Sequence, residues 1–174
     1  MKKFILVALS VLAGLVTVLF FNEWIKGLAA SSVLSTQIEF VFNGIILTAV
    51  VPLTVGNSFL TYAYLFSIPL LLSFIFIEGS AVALKKIINT NLRTGLVIFQ
   101  LVNIGFILVN VFVGILSVVL KNSFQSGWSR LLEFSEYSYP KQLVFMLFLV
   151  LLLFAYINFA SNRLRKYITI FKGK

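Results

Sequence analysis

The chain contains no cysteine and no histidine. Its five acidic residues are all glutamates (Glu23, Glu39, Glu78, Glu133 and Glu136), so aspartate is missing as well. Without cysteine there is no disulfide, no thiolate chemistry and no lipoprotein attachment site. Protein zinc sites draw on Cys, His and Asp/Glu, and only scattered glutamates remain to supply one. Histidine-based acid–base or nucleophilic catalysis is excluded by the same absence. Charge is scarce too. Only 11% of the 174 residues are charged and 60% are hydrophobic, far too little charge to cover a soluble surface. These proportions describe an integral membrane protein. No stretch is polar enough for a separate soluble domain, so residues 1–174 read as a single multi-pass transmembrane domain.

What charge there is leans positive, with 14 Lys and Arg against the five acids and a formal net charge of +9. In a soluble chain this would raise nucleic acid as a partner. Here the basic residues sit in loops and tails beside apolar runs, with no aromatic–basic platform away from them. They are read as orienting the chain and meeting anionic lipid headgroups. The expected partners are membrane lipid and other integral membrane subunits, with no nucleic acid.

Four apolar runs approach the ~20 residues that cross a bilayer core: 4–24, 59–78, 95–120 and 142–162. The first opens "MKKFILVALSVLAGLVTVLFF", which also has the form of a signal peptide, with Lys2 and Lys3 as its basic region. The apolar run continues to Phe21, longer than a usual signal core, so a retained span is expected. Between the first two runs lies "STQIEFVFNGIILTAVVPLTVGN", Ser35 to Asn57. Asn43-Gly44 suits a two-residue type I′ turn, and β-branched and aromatic residues flank it on both sides. Ile38, Phe40 and Phe42 alternate with Gln37 and Glu39, as in a half-buried strand. A membrane-re-entrant β-hairpin is expected here, and a fifth short span over 40–55 is the alternative. The expected fold is all-α, with about four transmembrane helices and this hairpin between the first and second.

With four crossings, one side carries Lys2, Lys3, Lys85, Lys86, Arg93, Arg163, Arg165, Lys166, Lys172 and Lys174. The other carries Lys26, Lys121, Arg130 and Lys141 with four of the glutamates. Ten against four places both termini in the cytoplasm. A fifth crossing would split the two basic tails between opposite sides. The wealth of Phe, Ile, Lys and Asn suggests an AT-rich bacterial source, and the expected location is a bacterial inner membrane.

On the third span, Gln100, Asn103, Asn110, Gly114 and Ser117 fall within about 80° of arc at ~100° per residue. Small residues let backbones approach and amides bond across helices, so the stripe is read as a helix–helix interface, within the chain or against another protein. The rival reading is a pore lining or substrate groove. It lacks an ionisable residue in the middle of any expected span, which an ion or proton pathway needs. The outer loop "KNSFQSGWSRLLEFSEYSYPKQ" brings Trp128, Tyr137 and Tyr139 to headgroup depth, and "SRLLEF" suits a short interfacial helix. Glu133 and Glu136 are i,i+3 neighbours on its solvated face.

The motif "NEWIK", Asn22 to Lys26, stands where the first run should leave hydrocarbon. It resembles the H-E-x-x-H helix of site-2-protease-type intramembrane zinc metallopeptidases. In that family two histidines one turn apart hold zinc and the glutamate activates water. A re-entrant hairpin follows that helix in some members, as Asn43-Gly44 does here. "QSGWSRLLEF" is similar to the family's D-G motif, with Ser126 where the aspartate stands. "FSIPLLLSF", around Pro69, is similar to its Gly-Pro helix start. The resemblance implies a degenerate former site at Asn22, Glu23, Lys26 and Ser126. A lysine ammonium has no lone pair to offer a metal, and one carboxylate cannot supply three protein ligands. No metal, no cofactor and no catalytic residue is therefore expected. A surface enzyme would have only Glu23, Glu133 and Glu136 as acids and no base to activate a serine. The expected function is a non-catalytic structural or accessory subunit of a bacterial inner-membrane complex, a pseudo-protease-like scaffold. A small homo-oligomeric channel or transporter component is the alternative.

Overall fold

The computed structural model describes residues 2–52, 59–119 and 139–172. Helix α1 (Lys2–Val16) passes through one π-helical turn (Thr17–Phe21) into α2 (Asn22–Leu34) without leaving helical backbone angles. In that turn the Asn22 N–H reaches back five residues to the Thr17 carbonyl. One residue more than an α-turn holds is thereby accommodated, and everything beyond it is rotated by ~100° about the helix axis. The helix stops at Ser35, which adopts a left-handed conformation with φ 51°.

The hairpin expected from Asn43-Gly44 is present. Strand β1 (Glu39–Phe42) pairs antiparallel with β2 (Leu47–Val50), from Glu39 opposite Val50 to Phe42 opposite Leu47. Its turn differs from the expected one. Gly44 alone has positive φ, at 89°, and Asn43 sits one place earlier, closing on Ile46 through its own N–H. One positive φ at the first central residue is the sign pattern of a II′ turn, whereas I′ needs two. The Asn43 side chain accepts the Ile45 and Ile46 N–H groups, at 3.3 and 2.9 Å. Residues 40–50 are thus strand, turn and strand, which removes them from any fifth helical span.

Helix α3 (Phe59–Lys86) and α4 (Thr90–Val119) are joined by a tight connection. Asn89 caps α4 by accepting from the Asn91 and Leu92 N–H groups, and Arg93 donates back to the Leu84 carbonyl at the end of α3. Helix α5 (Tyr139–Lys172) completes the described chain. Helix α4 is central, with α1, α3 and α5 all packed on it. Glycines set the α1–α4 approach: a Cβ on Gly14 would lie 2.9 Å from Val102, and one on Gly95 would lie 2.7 Å from the Ser10 hydroxyl. One apolar cluster joins α2, the hairpin and α3 through Ala30, Ala49, Val51 and Leu65. A second joins α3, α4 and α5 through Ile77, Leu84, Ile107 and Leu164.

Among the described residues, three helical stretches are long and apolar enough to cross a membrane: Phe4–Leu34, Tyr64–Lys86 and Thr90–Val113. All three depart from the expected bounds, the third running from Thr90 to Val113 rather than over 95–120. The first continues ten residues beyond 24, and the second runs to Lys86 rather than 78. The fourth expected span, 142–162, lies in α5, which is not among the three. That helix goes on through Arg163, Arg165, Lys166 and Lys172, which dilute its apolar character. In the longer helices Glu23, Lys26 and Glu78 stand away from the ends of crossing-length stretches, where the expected bounds put Glu23 and Glu78 at span ends and Lys26 just outside.

Candidate functional site

Asn22, Glu23 and Lys26 of the former site do not lie at a polar helix end as expected. Beyond the π-turn, Asn22 and Lys26 lie on the inner face of a continuing helix, Asn22 fully buried and Lys26 only 7% exposed, while Trp24 between them points outward at 48%. The Asn22 amide donates to the Pro69 carbonyl and the Ser73 hydroxyl on α3, each at 3.2 Å. Ser73 in turn donates to the Pro69 carbonyl at 3.0 Å. Amides and hydroxyls taken out of water need such partners, so this cluster holds α2 to α3 at one height.

The next residue faces the hairpin. The Glu23 carboxylate accepts the backbone N–H of Ala49 at 3.1 Å and forms an ion pair with the Lys26 ammonium. Ala49 lies opposite Phe40, and its N–H turns away from β1 toward the helix. An edge strand normally leaves such donors open, and here a helix side chain takes one. One turn along, Gly27 lets the hairpin close down. A Cβ there would collide with the Phe40 ring and touch Ala49. Asn22 and Glu23–Lys26 therefore act as two arms of one polar joint, one to α3 and one to β2.

This joint does not suit the zinc that the family it resembles holds at the corresponding positions. The ammonium of Lys26 lies on the Glu23 carboxylate, where a cation would need that carboxylate for itself. Asn22 spends its amide nitrogen on α3. Ser126, the counterpart of the family's aspartate, lies outside the described residues, as do Glu133, Glu136 and the "SRLLEF" segment. No reaction step can be written through a metal on this donor set.

The stripe on α4 divides. Gln100 is buried and donates to the Ile77 carbonyl of α3 at 3.2 Å, so it is a contact within the chain. Asn103 is fully buried and donates to the Phe99 carbonyl of its own helix. Asn110 is half-buried and donates likewise to Phe106. Gly114 and Ser117 follow on the same helix.

A second polar joint was not foreseen from the sequence. Arg163 of α5 grips Glu78 of α3 with both terminal nitrogens, at 2.7 and 2.9 Å. The Tyr156 hydroxyl donates to the same carboxylate at 2.8 Å. A planar guanidinium on a carboxylate is among the stronger charge-assisted arrangements. The available signal was Glu78 itself, a lone acid within an apolar run, for which a cationic partner is the default expectation.

Comparison with protein-family models, with curated proteins and with solved structures finds no match for this chain.

Proposed function

We propose that this chain is a non-catalytic, multi-pass accessory subunit of a bacterial inner-membrane complex, built on a pseudo-protease-like scaffold. The observation that carries this reading is the Glu23–Lys26 pair. The glutamate in the position of a water-activating base is neutralised by a lysine and spent on holding the hairpin. A structural joint stands where chemistry would be. In this reading the chain crosses the membrane four times with both termini cytoplasmic. Support for the fourth crossing comes from α5, whose residues 142–162 carry no charge. It also runs parallel to α3, as the contacts of Phe74 with Tyr156 and of Glu78 with Arg163 require. Two parallel helices separated by an antiparallel α4 end on one side, with their basic residues together.

A small homo-oligomeric channel is the second reading, and Glu78 favours it, being 46% exposed within a crossing-length helix. Its bidentate partner leaves the local charge near zero, which weighs against conduction. The deciding experiment is native mass spectrometry of the tagged protein, drawn in mild detergent from its own membrane, with zinc measured in parallel. A defined hetero-complex without zinc is the expected result. A zinc-free assembly of this chain alone would overturn the subunit reading and make liposome flux the next assay.

A further inference from the structure

Two amide oxygens in the core accept nothing. Asn22 Oδ1 and Asn103 Oδ1 are both sealed from solvent, and among the described residues neither has a hydrogen-bond partner. Their orientation is set by their nitrogens. Asn22 Nδ2 gives to Pro69 and Ser73, and Asn103 Nδ2 gives to the Phe99 carbonyl, so turning either amide over would set oxygen against oxygen. The donors nearby are spent: the Ser73 hydroxyl donates to Pro69, the Gln100 amide to Ile77, and the Lys26 ammonium lies on Glu23. An acceptor left bare in a dry interior is costly, and here two occur.

The contacts around them bring both to one level of the bundle. Gln100 reaches Ile77 and Arg93 reaches Leu84, so α3 and α4 run antiparallel. One turn on from Gln100 and Ile77, in the same direction along both helices, Asn103 and Ser73 fall opposite each other. The Phe76 ring meets Phe21 at 6.0 Å and Phe99 at 5.9 Å, so the first helix converges on this seam as well. Asn22 follows Phe21 directly and bonds to Ser73, while Asn103 stands one turn beyond Phe99.

We propose that the seam between α2, α3 and α4, beside Ser73, binds internal water that donates hydrogen bonds to Asn22 Oδ1 and Asn103 Oδ1. Water matches the site in kind. The two oxygens want hydrogens, and each water molecule has two to give. Buried waters are held by two to four polar groups of this sort, typically about three. No net charge asks for a counter-ion here, because Lys26, one turn beyond Asn22, is held by Glu23. Water bound in this way ties α2 to α4, which no direct side-chain bond joins among the described residues. It also gives Asn103 a role inside the chain rather than toward a partner or a pore. The inference goes beyond the subunit reading and does not depend on which partners the chain has.

The test is a crystal structure of the full-length protein grown from a lipid mesophase, at a resolution that shows ordered water. Solvent density is expected within hydrogen-bond reach of both Asn22 Oδ1 and Asn103 Oδ1. A seam without such density, or two amides turned onto each other, would overturn the proposal. Equilibrium unfolding in mixed micelles gives a second reading. Asn22→Leu and Asn103→Leu each deprive the water of one anchor, so their losses should not add. The double variant should keep on the order of tenfold more folded protein than the product of the two single losses predicts. Strictly additive losses would count the two sites as independent and sink the shared water. Unfolding of the wild-type chain in sodium chloride and in choline chloride at equal ionic strength should coincide. Stabilisation by sodium would put a cation at these oxygens in place of water. The wild-type crystal decides the matter even where a leucine variant fails to fold.

Discussion

Lys26 illustrates how much of this structure hangs on single polar side chains in an apolar setting. Its ammonium is nearly sealed from solvent and its partner Glu23 is only 17% exposed, so neither charge has water to fall back on. Removing one member of such a pair strands the other, at a typical cost of 3–5 kcal/mol, whereas removing both together is often close to neutral. Lys26→Met should therefore destabilise the protein by about 3 kcal/mol. The double variant Glu23→Gln with Lys26→Met should recover most of that loss, since glutamine can still accept from the Ala49 N–H. Unfolding in mixed micelles, followed by circular dichroism, measures both. A Lys26→Met protein as stable as wild type would remove the ion pair from the account of the joint. These residues were visible in the sequence as a polar group, but their burial was not. An Asn, a Glu and a Lys after 21 mostly apolar residues look like a helix leaving the membrane. Only the partners Pro69, Ser73 and Ala49, 26 to 51 residues away, make them inward-facing.

At the scale of elements, the seat of the hairpin on α2 depends on the absence of a side chain. Gly27 leaves a gap that the Phe40 ring occupies, and Ala49 closes the same contact from β2. Overpacking of this kind typically costs 1–3 kcal/mol when neighbours cannot yield. Gly27→Ala should lift the hairpin from the helix, breaking the Glu23–Ala49 hydrogen bond and raising amide hydrogen exchange over 39–50. Adding Phe40→Ala in the same chain frees the space and should restore protection at Ala49. Exchange unchanged by Gly27→Ala would mean that the hairpin is held by the Glu23 contact alone. The hairpin was legible because Asn43-Gly44 and its β-branched flanks are local signals. Its turn type was not, because whether Asn43 or Gly44 takes the first central place depends on which residues pair across the strands. The π-turn had no local signal at all. It is revealed by the inward course of Asn22 and Lys26, a demand set by α3 and the hairpin.

For the whole molecule, the question that composition could not close is how many times the chain crosses. Apolar length speaks for the helices at Phe4–Leu34, Tyr64–Lys86 and Thr90–Val113, while α5 blends an uncharged stretch with a basic end. Packing adds what composition lacks. α5 lies along α4 and runs parallel to α3, and Arg163 meets Glu78 at a level that α3 places inside its own apolar stretch. An α5 resting on the membrane surface would have to drag Glu78 and its neighbours out of that stretch. The lack of any native cysteine makes the matter directly measurable, since each introduced thiol reports alone. With four crossings, cysteines at Lys3 and Lys174 should both resist a membrane-impermeant maleimide in intact cells and react after permeabilisation. A cysteine at Ser123 should react in intact cells. Labelling of the Lys174 site from outside would mean an odd number of crossings, and would place Lys166 and Lys172 opposite Lys85 and Lys86, against the positive-inside bias. The Glu78–Arg163 joint would then need another geometry, because parallel α3 and α5 that both cross must end on the same side.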